Sequence, residues 1–168
     1  MKAITIAIYV CLATSAILLD CAAVKAGDWP MWRHDSNRSA ATPEQLSEEL
    51  HLQWWREQGP SIAAWPEDPR LQFDASYEPI VMGKTMYVGS SRNDSVTAID
   101  TDTGAVRWRF FAEGPVRFAP VASQGRLYFG ADDGCFYCLD AAKGTLRWKF
   151  HAAPAGRRAI GSERLISV

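Results

Sequence analysis

Two of the four cysteines, three histidines and a closely spaced pair of aspartates are the residues whose types could do chemistry in this chain. Cys135 and Cys138 stand in a C-x-x-C spacing, the pattern of redox pairs and of zinc knuckles. Residues 135–139, Cys-Phe-Tyr-Cys-Leu, nevertheless read as a strand. An odd separation in a strand sends two side chains to opposite faces, about 10 Å apart along the chain, whereas a disulfide needs Cα atoms within about 7 Å. No second C-x-x-C or nearby His pair completes a zinc site. Both thiols are expected to be buried and structural. Asp100-x-Asp102-x-Gly104 opens like a calcium loop, but such a loop needs Gly at its sixth place and Glu at its twelfth, where this chain has Ala105 and Phe111. A hairpin turn is the expected structure. His34, His51 and His151 show no ligand spacing, and no G-x-S-x-G, G-x-G-x-x-G or phosphate-binding loop occurs. Catalytic, cofactor-binding and metal-binding residues are therefore expected to be none.

The elements that would have to position any site are built on a repeat. Asp100 and Asp140, Gly104 and Gly144, Trp108 and Trp148, and Phe110 and Phe150 recur at a spacing of 40. Pro79 and Pro120, Tyr87 and Tyr128, and Gly89 and Gly130 recur at 41, the extra residue falling in a loop over residues 90–95. Within each copy, short β-rich runs alternate with turn signals every 8–12 residues, the signature of an all-β chain. Four strands in about 40 residues make one propeller blade. Asp100 and Asp140 can each start a reversal by accepting hydrogen bonds from the backbone two residues on, and Gly104 and Gly144 can adopt the positive φ that closes it. In the strand that follows, Val106, Trp108 and Phe110 share one face and Arg107 and Arg109 the other. Leu146, Trp148 and Phe150 likewise oppose Arg147 and Lys149. The basic residues are expected to form a solvated stripe. A Trp on such a face could bury about 150–250 Å², and only a neighbouring blade can supply the surface.

Residues 98–108, Ala-Ile-Asp-Thr-Asp-Thr-Gly-Ala-Val-Arg-Trp, fit an A-x-D-x-x-T-G-x-x-x-W pattern, and residues 138–148 fit it with Cys138 for Ala and Lys143 for Thr. This resembles the tryptophan-docking motif of pyrroloquinoline quinone (PQQ)-like repeats, a family that includes quinoprotein alcohol dehydrogenases and the outer-membrane assembly factor BamB. The resemblance implies blades held together by Ala98, Asp100, Thr103, Gly104 and Trp108 in one copy and by Asp140, Gly144 and Trp148 in the next. It also brings PQQ into consideration as a cofactor. The quinoprotein dehydrogenases hold their quinone with calcium, a vicinal cysteine pair and an acidic base, none of which can be matched here by motif, so no cofactor is expected for this chain.

The flanks complete the organisation. Residues 1–26 carry an early positive charge, an apolar run over 3–19 and small residues before Gly27, the anatomy of a secretory signal. An uncleaved anchor, and lipid attachment at Cys21, are the alternatives; Asp20 sits where a lipidation motif wants a small residue. Export to the periplasm or the extracellular space is expected. Residues 27–78 form a lead-in, in which Thr42, Pro43 and Gln45 predict a short helix to about Leu50. Leu52 and Trp54 then repeat the apolar-x-Trp pattern, so residues 52–57 are expected to be an outer, ring-closing strand. A long Pro-containing loop follows over 59–76. Blade 1 is expected over 79–114, blade 2 over 115–154 and the start of a third repeat over 155–168. Rings need roughly four to eight blades, so an incomplete propeller, a fragment of a longer product, is anticipated, with self-association through exposed blade edges as the other outcome. With a net charge of −1, the chain lacks the basic footprint of a nucleic-acid binder. A non-catalytic scaffold or binding module for a protein or carbohydrate ligand is the expected function. The alternative is a piece of a PQQ- or metal-dependent oxidoreductase whose site lies in other blades.

Overall fold

The computed structural model describes residues 27–70, 76–152, 158–161 and 164–167, so the expected signal over 1–26 and the lipidation reading at Cys21 lie outside the described residues. Two antiparallel four-stranded sheets carry the repeat. The first contains β1 (Ile80–Met82), β2 (Thr85–Ser90), β3 (Ser95–Asp100) and β4 (Val106–Phe111), and the second β5 (Val121–Ser123), β6 (Arg126–Ala131), β7 (Cys135–Asp140) and β8 (Leu146–His151). Each is a meander in sequence order. A further hairpin pairs β9 (Arg158–Gly161) with β10 (Arg164–Ser167). The chain is thus all-β and built of propeller blades, two of them complete. No helix occurs among the described residues.

The two blades match down to an irregularity. Ala98 pairs with Trp108 but Ile99 with Val106, leaving Arg107 as the extra residue of a β-bulge. In blade 2, Cys138 pairs with Trp148 and Leu139 with Leu146, which leaves Arg147 in the same position. A bulge bends its strand and re-aims side chains; here it turns each arginine back toward the aspartate that opens the preceding turn.

The core lies between the sheets. Ile80, Tyr87, Val96 and Ala98 of blade 1 join Ala122, Leu127, Phe129, Tyr137 and Leu139 of blade 2 in one buried cluster, with Trp108 and Phe110 packed against it. Phe110 meets Phe129 and Tyr137 edge-on, at centroid distances of 6.1 and 5.7 Å. The lead-in adds a backbone tie that its sequence does not announce. Trp29 exchanges two hydrogen bonds of 2.8 Å with Val81 on β1, and the Pro30 carbonyl accepts one of 2.8 Å from Ala122 on β5. One extended stretch therefore spans the first strands of both blades.

Two expectations for the lead-in need correction. Residues 42–50 form no helix. Leu46 and Leu50 remain 83% and 73% exposed, and an isolated helix of this length is not stable without an apolar face packed on something. Residues 52–57 form no strand, since none of the described strands pairs with them. Leu52 is exposed, and the segment docks through the side chains of Trp54 and Arg56. The loop expected over 59–76 is pinned where described: Ser91 Oγ donates to the Ile62 carbonyl at 2.6 Å and Trp65 Nε1 to Asp132 at 3.3 Å.

Candidate functional site: the docking turns and the buried Asp133 cluster

Each docking turn is locked by its aspartate. Asp100 Oδ1 accepts the backbone N–H groups of Asp102 and Thr103, both at 2.9 Å, and the Thr103 hydroxyl at 3.0 Å. Its Oδ2 accepts Arg107 Nη2 at 2.6 Å, and that guanidinium reaches on to Thr85 Oγ1 at 2.8 Å. Hydrogen bonding to Arg107, supported by the turn N–H groups, lowers the Asp100 pKa to about 2. Asp140 repeats the arrangement with Ala142, Lys143 and Arg147, and Arg147 likewise lowers its pKa. Lys143 has no hydroxyl, so the second turn lacks the Thr103 bond. With both carboxylates committed to the turn and to an arginine, these residues act as hairpin locks.

A tryptophan from the preceding unit closes on each turn. Trp108 Nε1 donates to the Ala141 carbonyl at 3.1 Å, and its ring lies over Gly144, where an added Cβ would sit 2.5 Å from the indole. Gly144 has φ +69°, so both sterics and backbone require glycine. Tyr87 donates its hydroxyl to the same Ala141 carbonyl at 3.0 Å, its ring 5.8 Å from that of Trp108. The 100–104 turn is covered in the same way by Trp54, whose Nε1 donates to the Thr101 carbonyl at 2.7 Å above Gly104. Arg56 adds a bond of 3.3 Å to the Gly104 carbonyl. Ala98 is buried beneath this layer. Trp148 occupies the third such position but covers no turn among the described residues. It packs on Tyr128 and Phe136 of its own blade, at 6.1 Å from each, and remains 42% exposed.

The residues able to do chemistry lie elsewhere, in a cluster the sequence pattern did not reveal. Asp133 is buried at the turn into β7. It accepts hydrogen bonds from the Tyr137 hydroxyl and, at 2.9 Å, from the Cys135 N–H, and it lies 3.5 Å from Lys149 Nζ. Lys149 also pairs with Glu113 at 3.0 Å and sits 5.1 Å from the Tyr137 ring centroid. Burial, then the hydrogen bond to Asp133, pushes the Tyr137 pKa up to about 12. Burial, reinforced by Asp133, pushes the Cys135 thiol up. Burial opposes the charge on Lys149, but hydrogen bonds with Tyr137 and Glu113 outweigh it and hold its pKa above the ordinary lysine value. Every shift keeps the residue in its resting protonation state: neutral thiol, neutral phenol, charged ammonium. A nucleophile or a general base would need the opposite. Of the expected basic stripe, Arg107, Arg109, Arg147 and Lys149 each engage a protein partner.

Cys135 and Cys138 are free and buried. Among the described residues, no three His, Cys, Asp or Glu side chains gather into a metal-binding group. A groove of about 440 Å³ opens between Trp32, Phe118 and Val121, rimmed by Arg38, Glu78 and Arg117. Arg38 stacks 5.4 Å from the Trp32 ring and donates to the Trp32 carbonyl, and Arg117 stacks 5.7 Å from the Phe118 ring.

A sequence profile described as outer membrane protein assembly factor BamB matches residues 22–167. No match was found among curated proteins. Among solved structures, quinohemoprotein alcohol dehydrogenase from Comamonas testosteroni is similar with a TM-score of 0.56 and 23% identity, over 84% of this chain and 22% of that one. BamB from Moraxella catarrhalis gives 0.38 and 24%, over 40% of this chain and 21% of that one. A europium-containing methanol dehydrogenase gives 0.40 and 28%, over 45% and 15%. The chain therefore spans between 15% and 22% of the length of these structures. The likeness to the Comamonas structure shows the propeller-blade fold.

Proposed function

The chain belongs to the BamB-like family of PQQ-type β-propeller repeat proteins, and on that premise we propose that it is an exported, non-catalytic scaffold that presents a binding surface. One observation carries this reading. The repeated turn residues and the covered tryptophans are spent on joining a turn to itself or one blade to the next: Asp100 on its turn and Arg107, Asp140 on its turn and Arg147, Trp54 and Trp108 on the turns they cover. The remaining charged cluster, around Asp133, holds Cys135, Tyr137 and Lys149 in unreactive protonation states. The groove between Trp32 and Phe118 has the volume of a ligand site and an aromatic lining, and it is where a protein partner would find an apolar anchor with flanking guanidinium groups. The β9–β10 hairpin is assigned to the opening of a third repeat.

The residues present do not fit a quinone with its metal. Such a pair needs several carboxylate or carbonyl oxygens converging on one cation, and the described acidic residues are dispersed over turns and ion pairs. Purified protein mixed with PQQ and calcium is expected to give neither dye-linked alcohol oxidation nor a raised melting temperature. Turnover above a protein-free control would overturn the scaffold reading.

A further inference from the structure

The cluster around Asp133 has a counterpart one blade back, and there the charges do not cancel. Trp54 and Trp108 make the same bond, each to the carbonyl of the residue that follows a turn aspartate, so the segment after Trp54 corresponds by count to the end of β4. Arg56 then stands for Phe110 and Gly59 for Glu113. Blade 1 offers Asn93, Thr97 and Arg109 where blade 2 has Asp133, Tyr137 and Lys149. At the junction of the two blades, Phe110 packs against Phe129 and Tyr137, and Lys149 pairs with Glu113 and Asp133. At the lead-in junction both carboxylates and the aromatic ring are replaced, and the replacements line a cavity of about 210 Å³. Both walls belong to this chain, residues 56–59 on one side and β2, β3 and β4 on the other. The cavity is a matter of side-chain identity, since the positions that seal the blade 1–blade 2 junction, 110 and 113, have their counterparts here.

Three guanidinium groups, of Arg56, Arg92 and Arg109, line the cavity together with one carboxylate, that of Glu57. Each guanidinium donates to a neutral acceptor: Arg56 Nη1 to the Gly104 carbonyl at 3.3 Å, Arg92 Nη1 to the Pro60 carbonyl at 3.2 Å and Arg109 Nε to Thr97 Oγ1 at 3.0 Å. None of the three enters an ion pair among the described residues. A guanidinium carries several further N–H donors, so these bonds hold each group in place and leave donors for a ligand. Arg92 also lies against Gly59, 3.1 Å from where a Cβ would stand, and the Tyr77 hydroxyl donates to the Gly59 carbonyl at 2.9 Å.

We propose that this cavity binds a tetrahedral oxyanion, a phosphate or sulfate group. Guanidinium forks match the oxygens of such a group, and three cations against one carboxylate leave the lining positive. At about 210 Å³ the cavity is smaller than the ~300–1,000 Å³ of sites that enclose a drug-sized ligand, so it takes one charged group, free or carried on a larger molecule. The inference goes beyond the scaffold reading and uses different residues, so the two fail separately.

Isothermal titration calorimetry of the full chain with sodium phosphate, sodium sulfate and sodium acetate, at constant ionic strength, tests it. One site is expected for phosphate and for sulfate, with acetate at least roughly tenfold weaker. Arg92→Gln and Arg109→Gln should each weaken binding roughly tenfold. Asn93→Asp should abolish it, because the lining then gains the carboxylate that blade 2 carries at Asp133, while Ser95 can still donate to the new side chain. Arg126→Gln removes an exposed cation at the start of β6 and should change nothing. Circular dichroism matching the parent shows that a variant is folded. Should Arg109→Gln, which loses its bond to Thr97, fail that check, Arg92→Gln and Asn93→Asp carry the test. Glucose 6-phosphate separates the two sources: affinity equal to that of phosphate supports a group on a larger molecule, and affinity roughly tenfold weaker supports the free anion. No binding of either tetrahedral anion, binding that survives Asn93→Asp, or an equal loss in Arg126→Gln would each overturn the proposal.

Discussion

The last strands of the two blades carry nearly the same residues, Val-Arg-Trp-Arg-Phe in β4 and Leu-Arg-Trp-Lys-Phe in β8, and meet opposite fates. Trp108 and Phe110 are half-buried against blade 2, whereas Phe150 is 62% exposed and every residue of β8 faces solvent. Hydrogen bonding within each sheet is equivalent, down to the shared bulge. The difference therefore lies in the neighbour. The tryptophan of this motif contributes to the junction that follows its blade and little to the blade that carries it.

A second contrast lies at the other end of the same strands. Where blade 2 has Asp133, Cys135, Tyr137 and Lys149, blade 1 has Asn93, Ser95, Thr97 and Arg109. Blade 1 solves the position without a carboxylate, Ser95 donating to Asn93 at 2.7 Å and Arg109 to Thr97 at 3.0 Å. Blade 2 uses a buried carboxylate with a phenol and an ammonium. Tyr137 also stacks flat on Phe129 at 5.0 Å and meets Phe110 from blade 1, so the charged version lies beneath an aromatic junction.

The largest expected effect breaks the first comparison. Trp108→Ala should cost about 3–5 kcal/mol in urea unfolding, as a packed aromatic removed from a junction, while Trp148→Ala in the same assay, on dilute protein, should cost under about 1 kcal/mol. Equal losses would mean that the motif stabilises its own blade. Next comes Asp133→Asn, which gives blade 2 the blade 1 residue but leaves Lys149 without its buried carboxylate; about 2–3 kcal/mol should be lost. Gly144→Ala follows, at about 1–3 kcal/mol, because alanine must adopt φ +69° and push its Cβ into Trp108. Gly125→Ala makes the control, since its φ is +71° with nothing within 4 Å of the added Cβ.

Two pH limbs are expected to be smaller. The Tyr137 pKa is raised from 10.0 to about 12, so the folded state holds its proton more tightly than the unfolded chain. Its contribution is complete below about pH 10 and is lost as pH rises toward about 12. Tyr137→Phe should flatten that alkaline decline in melting temperature, and spectrophotometric titration should show one tyrosine ionising near the top of this range. On the acid side, Asp100 is lowered from 3.8 to about 2, so its contribution is present above about pH 3.8 and lost as pH falls toward about 2. Asp100→Asn should remove part of that acid dependence. An unchanged acid limb would show that the Arg107 pair is too solvent-exposed to matter.

Much of this was legible because repeats write their landmarks at fixed spacing. The all-β class, the four-strand period and the turn roles of Asp100, Gly104, Asp140 and Gly144 all follow from periodicity and local turn chemistry. Tyr87 and Tyr128 were visible as recurring residues, but nothing local says that a tyrosine and a tryptophan twenty residues apart share one carbonyl. Asp133 stands in an Asp-Asp-Gly run that local chemistry reads as an ordinary turn. Its burial depends on Lys149, Glu113 and Tyr137, which reach it from the adjoining strands and loop. In the lead-in, capping residues suggested a helix at 42–50, yet local propensity cannot fold a segment whose apolar side chains meet no surface.

By itself, the sequence determined the period, the pleat and the turns, since each depends on backbone preferences and side chains within a few residues of one another. Only the tertiary structure decided which tryptophans are covered, which basic residues are paired, that Arg107 and Arg147 are bulged and that Trp29 and Pro30 tie both blades together. The physical reason is range. Turn locks are set by hydrogen bonds across three to seven residues, whereas the burial of a strand face is set by whatever sheet stands opposite it, and identical faces take opposite states when only one of them has a neighbour.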